Sequence, residues 1–258
     1  MSEKKYDSLP GELTSVRQLT EDVFDFRLRC PTLAAKAEPG QFAQILAPGR
    51  TLRRPISICA IDRDRGELRF VFQVRGQGTA ELAQRRAGDR LEILAPLGHG
   101  FPVDRTKRTL LMGGGIGAPP LLGAAQALGS QAVAVLGFRS REAVILEEDF
   151  KAAGAKTLIA TDNGSYGRHG LVTELAEEED FEVVFACGPG PMLRAARALA
   201  QSRGAAGYLS LEQRMACGVG ACLGCAVALV DGEGAEYFGH VCKDGPVIEM
   251  SRIGESAL

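Results

Sequence analysis

Seven cysteines occur in the 258 residues, and four of them, Cys217, Cys222, Cys225 and Cys242, crowd into one short stretch near the C-terminus. The first three are spaced C-x4-C-x2-C, the plant-type ferredoxin arrangement for three of the four thiolates on a [2Fe–2S] cluster. The spacing has a physical cause. A cluster draws thiolates to within a few ångströms of one another, and the chain must wrap it so closely that backbone N–H groups point at sulfur. Gly218, Gly220 and Gly224 lack the Cβ atoms that would obstruct this. After Cys225 the sequence reads as a hairpin: Ala226 to Val230, the turn Asp231-Gly232-Glu233-Gly234, and Ala235 to Val241. Such a hairpin returns the chain beside its start, so Cys242 is the expected fourth ligand. Zinc is the competing reading. Zinc frameworks usually present two C-x2-C or C/H pairs, and here there is one such pair beside a C-x4-C that zinc modules seldom use. Cys30 and Cys59, each inside an expected strand, read as small buried hydrophobes.

Two further groups of residues have the types that hold phosphates and a flavin. Arg53-Arg54-Pro55-Ile56-Ser57 opens an expected strand, and Gly76-Gln77-Gly78-Thr79 follows another and opens a short helix. An arginine clamps a pyrophosphate through its planar fork, a serine hydroxyl reaches a flavin ring nitrogen, and Gly78-Thr79 at a helix start presents N–H groups to an anion. Taken alone, Gly-x-Gly-Thr is equally an ordinary capped turn. Gly113-Gly114-Gly115-Ile116-Gly117-Ala118 lies between a strand and a helix, where a glycine loop cradles phosphate, and fits G-x-G-x-x-A. The next strand, however, ends in Phe138-Arg139-Ser140, without the acidic residue that holds the ribose in a standard dinucleotide site. Arg139 and Arg141 could meet a 2′-phosphate or stand as a solvated loop. A second glycine cluster, Cys187-Gly188-Pro189-Gly190-Pro191-Met192, closes the fourth strand, where open α/β sheets gather ligands.

The elements that must position these residues fall into three groups. Strands are expected at Leu13 to Arg17, Val23 to Arg29, Phe42 to Leu46, Ile56 to Ile61, Leu68 to Val74 and Leu91 to Ala95, with one short helix at Ala80 to Arg86, which implies an antiparallel barrel or sandwich. From Thr109 the rhythm becomes strand (to Met112), helix (Pro119 to Leu128), strand (Ala132 to Phe138), helix (Glu142 to Ala153), strand (Thr157 to Ala160), short helix, strand (Glu182 to Ala186) and helix (Pro191 to Ser202). That alternation implies βαβ units around a parallel sheet. The expected domains are 1–104, 105–207 and 208–258: a β-barrel, a parallel-sheet nucleotide-binding domain and a small C-terminal cluster-binding segment.

Composition narrows the function classes. With 45% apolar and 24% charged residues and a net charge of -2, nothing argues for nucleic acid or an anionic membrane as partner. The longest uncharged run, Thr109 to Phe138, is broken by glycines and Pro119-Pro120 and reads as buried core, not as a membrane span. Met1 to Asp7 is charged and lacks an apolar segment, so a cytoplasmic home is expected, and in a reducing compartment the cysteines point to metal or redox chemistry. There is no Ser/His/Asp constellation. His99, His169 and His240 are all placed in loops and given no acid–base role.

The order of barrel, RRPIS, GxGT, GGGIG and CGPGPM closely resembles the ferredoxin-NADP reductase superfamily. The resemblance implies that Arg54 and Ser57 bind FAD, with Pro55 and Ile56 in the same motif and Ile56 standing where that family usually has Tyr. It implies that Gly78 and Thr79 take the FAD phosphates, that Val71, Phe72 and Gln73 border the FAD, and that Cys187, beside Gly188, approaches the nicotinamide of NAD. Gly113, Gly114, Gly115 and Gly117 form the glycine loop of the nucleotide site. CGVGACLGC followed by VCKDGP, together with RRPISI, is more selective and is similar to the electron-transfer subunits of type B dihydroorotate dehydrogenase. The similarity implies a separate FMN-containing catalytic subunit as partner, in a heterotetramer of two of each, with electrons passing through [2Fe–2S] and FAD to NAD+ in pyrimidine biosynthesis. The alternatives are the flavin subunit of an NAD(P)H–ferredoxin oxidoreductase or sulfide dehydrogenase and, from another class, a zinc-stabilised binding module.

Overall fold

A computed structural model describes residues 6–258; the stretch Met1 to Asp7, from which a cytoplasmic home is expected, lies almost wholly outside the described residues. The first six strands, β1 (Asp7–Gln18), β2 (Val23–Arg29), β3 (Phe42–Ile45), β4 (Arg54–Asp62), β5 (Glu67–Gln73) and β6 (Arg90–Leu97), form a closed barrel in the order β1-β2-β5-β4-β3-β6. Every neighbouring pair is antiparallel. Alternate residues fill its interior, among them Phe26, Leu28, Leu68, Phe70 and Phe72; Phe26 and Phe72 meet edge to face with centroids 4.9 Å apart. Register shifts at Leu13/Ser15, Phe42/Gln44 and Ile58/Ala60 bend the strands enough to close the sheet.

Two helices serve the barrel. Helix α1 (Pro31–Lys36) was not expected from the sequence, although Pro31 at its start is a fitting signal. Helix α2 (Gln77–Ala83) begins three residues earlier than expected, because the Thr79 hydroxyl accepts the N–H groups of Arg75 and Gly76 at 2.9 and 3.2 Å and fixes the turn there.

The rest of the chain builds a seven-stranded sheet. Its members are β7 (Thr109–Gly114), β8 (Ala132–Phe138), β9 (Lys156–Thr161), β10 (Arg168–His169), β11 (Val183–Cys187), β12 (Ala206–Ser210) and, after the hairpin β13 (Ala226–Val230) and β14 (Glu236–His240), β15 (Val247–Glu249). The order is β10-β9-β8-β7-β11-β12-β15, parallel except for β15. Leu110, Met112, Val133, Val135, Val184 and Ala186 face one core, and Leu111, Ala134, Leu136, Phe185 and Cys187 face the other. Burial on both faces explains why these strands read as unbroken apolar runs.

Helix α3 (Pro119–Leu128) is buried except at Gln126 and Ala127. The sheet covers one side and the barrel the other, so closely that a Cβ on Gly123 would lie 3.4 Å from Pro39. Helices α4 (Glu147–Ala152), α5 (Val172–Glu177), α6 (Gly190–Arg203) and the short α7 (Val241–Asp244) complete the fold. Helix α4 is half the expected length, since Leu146 sits at φ 63° and stops regular helix from extending back to Glu142. It anchors the barrel: Arg69, 3% exposed, holds Asp25 with two bonds of 2.9 and 3.0 Å and also pairs with Asp149 of α4.

The segment after Tyr208, expected to leave the sheet pattern, instead supplies edge strand β15, which pairs with β12. Nor are all three histidines in loops: His169 lies in β10 and His240 ends β14. The uncharged run from Thr109 to Phe138 resolves into β7, α3 flanked by a turn of 3-10 helix on each side, and β8. No described helix is long and apolar enough to cross a membrane.

Candidate functional site

The carboxyl ends of β7, β11 and β12 face the outer wall of the barrel across a cleft of ≈ 230 Å³. Pro55, Ile56 and Ser57 from β4, Val71, Phe72 and Gln73 from β5, Thr79 from α2 and Cys187 from β11 all line it. The tertiary fold thus brings eight of the expected cofactor residues to one cavity. Arg54 stands beside them. A Cβ on Gly78 would lie 1.9 Å from Arg54 Nε, so only glycine lets this guanidinium rest on the first turn of α2. Arg54 donates to the carbonyls of Leu52 and Arg53, both at 3.2 Å, whereas Arg53 pairs with Glu92. Between the two arginines, the fork without a carboxylate partner is the one beside the cleft.

The glycine loop and the second glycine cluster are in contact. Gly117 packs so tightly that a Cβ would lie 2.2 Å from the Cys187 carbonyl, and one on Gly114 would lie 2.9 Å from Met192 Sδ. Gly188, at φ 158°, reaches 3.1 Å from the Gly114 nitrogen by the same measure. Gly113 pairs with Cys187 and with Leu136 in the sheet, while Gly115, at φ 54°, has open space around it. Of this group only Cys187, together with Ile116, lines the cleft. Burial, with the Glu212 carboxylate adding to it and the Ser210 hydroxyl opposing it, pushes the Cys187 thiol up to about 12. It therefore presents a neutral S–H at neutral pH.

The sequence reading left part of the lining unassigned. Leu211, Glu212, Gln213 and Met215 form one wall, and Phe42, Pro120 and Pro246 contribute others. These residues carry no spacing signature; the one hint is position, since Ser210 to Met215 joins the last parallel strand to the first cluster cysteine. A larger cavity of ≈ 570 Å³ lies elsewhere, between β4, β5 and α4, lined by charged groups including the paired Arg69 and Asp149. None of the expected site residues lines it, so the smaller cleft is the chemically relevant one.

The cysteine loop lies against β3 beside the cleft, with Gly218 pressed on Gln44. Its thiols act on one another: Cys222 acts on Cys217, and both Cys225 and Cys217 act on Cys242. Among the described residues no three His, Cys, Asp or Glu side chains gather as one metal-holding group.

Loop N–H groups point at sulfur: Val219 and Ala221 donate to Cys217 Sγ at 3.4 and 3.3 Å, and Gly220 donates to Cys242 Sγ at 3.1 Å. Burial opposes ionisation of Cys217, but these two donors and Cys222 outweigh it and lower the thiol to about 6. Burial and the neighbouring Cys225 push Cys242 up to about 12. The hairpin closes as expected, with Ala226 opposite His240 and the Val241 N–H on the Cys225 carbonyl at 3.0 Å.

Of the three loop glycines, Gly218 and Gly220 sit at φ 73° and 80°, pressed on Gln44 and Lys243. Gly224 differs from the expectation: its φ is unremarkable, and an added Cβ would meet only Cys222 Sγ, at 3.5 Å. The left-handed residue there is Leu223. Cys30 and Cys59 are buried, and burial pushes both thiols up to about 12, as small hydrophobes should behave.

Comparison with known proteins agrees with this architecture. Residues 212–254 match the model of the iron–sulfur cluster binding domain of dihydroorotate dehydrogenase B. A chain of the NADH-dependent reduced ferredoxin-NADP oxidoreductase superposes with a TM-score of 0.84 at 30% identity, covering 98% of this chain and 91% of that one. The ferredoxin reductase of carbazole 1,9a-dioxygenase shares the fold alone, with a TM-score of 0.65 at 22% identity over 78% of this chain and 67% of that one. The electron transfer subunit of dihydroorotate dehydrogenase B (NAD(+)) from Bacillus caldolyticus is 42% identical over 95% of this chain and 97% of its own. Its counterpart from Geobacillus thermodenitrificans is 45% identical over the same shares. With this identity carried across barrel, sheet and cysteine loop alike, the chain belongs to the family of electron-transfer subunits of dihydroorotate dehydrogenase B.

Proposed function

We propose that this chain carries electrons from dihydroorotate, oxidised at the FMN of a separate catalytic subunit, through a [2Fe–2S] cluster and FAD to NAD+ in pyrimidine biosynthesis. One observation carries the reading: the cleft and the cysteine loop share walls. Phe42 and Met215 line the cleft and also pack in the core that contains Cys225 and Cys242. Electron transfer between two centres requires such proximity. The bound FAD supplies the conversion between the two-electron hydride of NAD(H) and the single electrons of the cluster.

The residues have distinct tasks. Cys217, Cys222, Cys225 and Cys242 hold the cluster, and the Val219, Gly220 and Ala221 N–H groups stabilise its sulfurs. Arg54 clamps the flavin pyrophosphate beside the first turn of α2, and Ser57 hydrogen-bonds the flavin ring. Val71, Phe72 and Gln73 wall the ring on the barrel side. The N–H groups of the Gly113 to Gly117 loop receive the NAD phosphates. Cys187, kept neutral by burial, borders the nicotinamide without placing a charge against it.

Leu223, 66% exposed beside the exposed Cys222, faces the catalytic subunit, in a cytoplasmic heterotetramer of two of each. Val219, by contrast, packs against the chain's own core. The likeness to a ferredoxin-NADP oxidoreductase chain favours a second reading, a flavin subunit serving ferredoxin; the higher identity to the dihydroorotate dehydrogenase subunits favours the first.

Anaerobic co-purification with the catalytic subunit, followed by an assay of dihydroorotate-dependent NAD+ reduction, tests the proposal. The complex should reduce NAD+, and this chain alone should show only NADH diaphorase activity with artificial acceptors. Dihydroorotate oxidation by the isolated chain, or ferredoxin reduction in place of the coupled reaction, would overturn it. Native mass measurement of the complex checks the two-plus-two assembly.

A further inference from the structure

Gln44, in the middle of β3, is fully buried, yet neither its Nε2 nor its Oε1 has a hydrogen-bond partner among the described residues. Buried side-chain amides are seldom left unpaired, because a donor stripped of water and given nothing in return destabilises the fold. A leucine or methionine would fill the same volume without that cost, so packing alone does not call for an amide here. The orphan marks a partner that the polypeptide itself does not provide.

Its surroundings say what that partner is. Along β3 the side chains alternate: Ala43 and Ile45 enter the barrel core, and Phe42 packs outside, in the core containing Cys225 and Cys242. Gln44 shares the outer face and meets the cysteine loop. A Cβ built on Gly218 would lie 2.7 Å from Gln44 Cγ and 2.8 Å from Nε2, and Gly218 adopts φ 73° directly after Cys217. The loop backbone donates from Val219, Gly220 and Ala221, and the buried amide adds a donor from the barrel. Cluster sulfides and cysteine thiolates only accept, so they match the unpaired N–H groups of Gln44.

We propose that Gln44 donates an N–H hydrogen bond to a sulfur of the [2Fe–2S] centre and thereby raises its reduction potential. The inference rests on the cluster reading given above. Reduction adds negative charge to the centre, and a fixed N–H dipole stabilises that charge more than it stabilises the oxidised form. Because Phe42 lines the flavin cleft two residues away, a single short strand touches both centres.

The test uses the whole chain purified anaerobically. In protein carrying side-chain ¹⁵N-glutamine, pulsed EPR of the reduced cluster should show a ¹⁵N coupling that Gln44→Leu removes. Gln44→Leu and Gln44→Met should keep the cluster and shift its one-electron reduction equilibrium toward the oxidised form by about tenfold, a midpoint roughly 59 mV lower. A full cluster at unchanged midpoint in both variants, or the absence of any glutamine ¹⁵N coupling in the unsubstituted protein, overturns the inference while leaving the cluster reading intact. Should both variants fail to retain the cluster, the coupling in the unsubstituted protein decides by itself. Absence of a [2Fe–2S] signal from that protein would overturn the cluster reading, and this inference with it.

Discussion

The flavin cleft and the cysteine loop are neighbours built on opposite plans. The cleft draws its walls from β3, β4, β5, α2, the glycine loop after β7, β11 and the link after β12, segments far apart in sequence and held by two packed cores. The loop takes three of its four sulfurs from one nine-residue run and the fourth from the return of one hairpin. The cleft is therefore shaped by the fold before anything binds. The loop has few apolar contacts of its own, with Cys222, Leu223 and Gly224 exposed, so its order depends on the group it binds. The cleft should tolerate loss of one contact; the loop should not tolerate loss of one ligand.

Breaking the loop gives the largest effect. Cys222→Ser should abolish the [2Fe–2S] absorption and EPR signature while leaving FAD content nearly unchanged, measured on the same preparation. A full iron signal would refute the ligand assignment, and parallel loss of FAD would refute the independence of the two sites. Next comes the loop's outward face. Leu223→Glu places a charge at a residue 66% exposed and should cut dihydroorotate-to-NAD+ transfer at least tenfold, with cluster content and diaphorase activity preserved. Loss of the cluster instead would make Leu223 part of the internal fold.

In the cleft, Arg54→Ala removes one charge-assisted contact and should weaken FAD binding by about 1.5–3 kcal/mol, which equilibrium dialysis reads directly. Unchanged FAD occupancy would reduce Arg54 to a rim residue. The smallest and sharpest comparison lies within the loop. Gly218→Ala, at φ 73° against Gln44, should cost about 1–2 kcal/mol and part of the cluster. Gly224→Ala, with nothing closer than 3.5 Å, should stay within about 0.5 kcal/mol. Thermal melting and iron content of the two variants side by side check the contrast.

How legible each region is in the sequence follows the same division. Runs of β-forming residues bounded by turn residues were enough to locate the six barrel strands, and β2, α3, β8 and β13 have the expected limits, because strand propensity, glycine and proline act locally. The cysteine motif is local too, and its geometry can be argued from spacing. Helix α4 fell short for a reason invisible in periodicity, the left-handed turn at Leu146. Strand β12 is short and takes its partners from β11 and β15, and β15, three residues long, pairs with β12 across a gap that contains the whole cysteine loop, so neither stands out locally.

The sequence alone was sufficient for the residue types, the barrel followed by alternating strands and helices, and a hairpin able to return Cys242 beside Cys225. Only the tertiary structure decided that Gly117 must be bare because the Cys187 carbonyl lies against it, that Ser210 to Met215 forms a wall of the cleft, and that Gln44 of the barrel faces the cysteine loop. The physical reason is range. Backbone sterics and hydrophobic period act over a few neighbouring residues and leave their mark in the local pattern. A steric contact or an unpaired amide between residues 70 to 174 positions apart leaves none until the chain has folded.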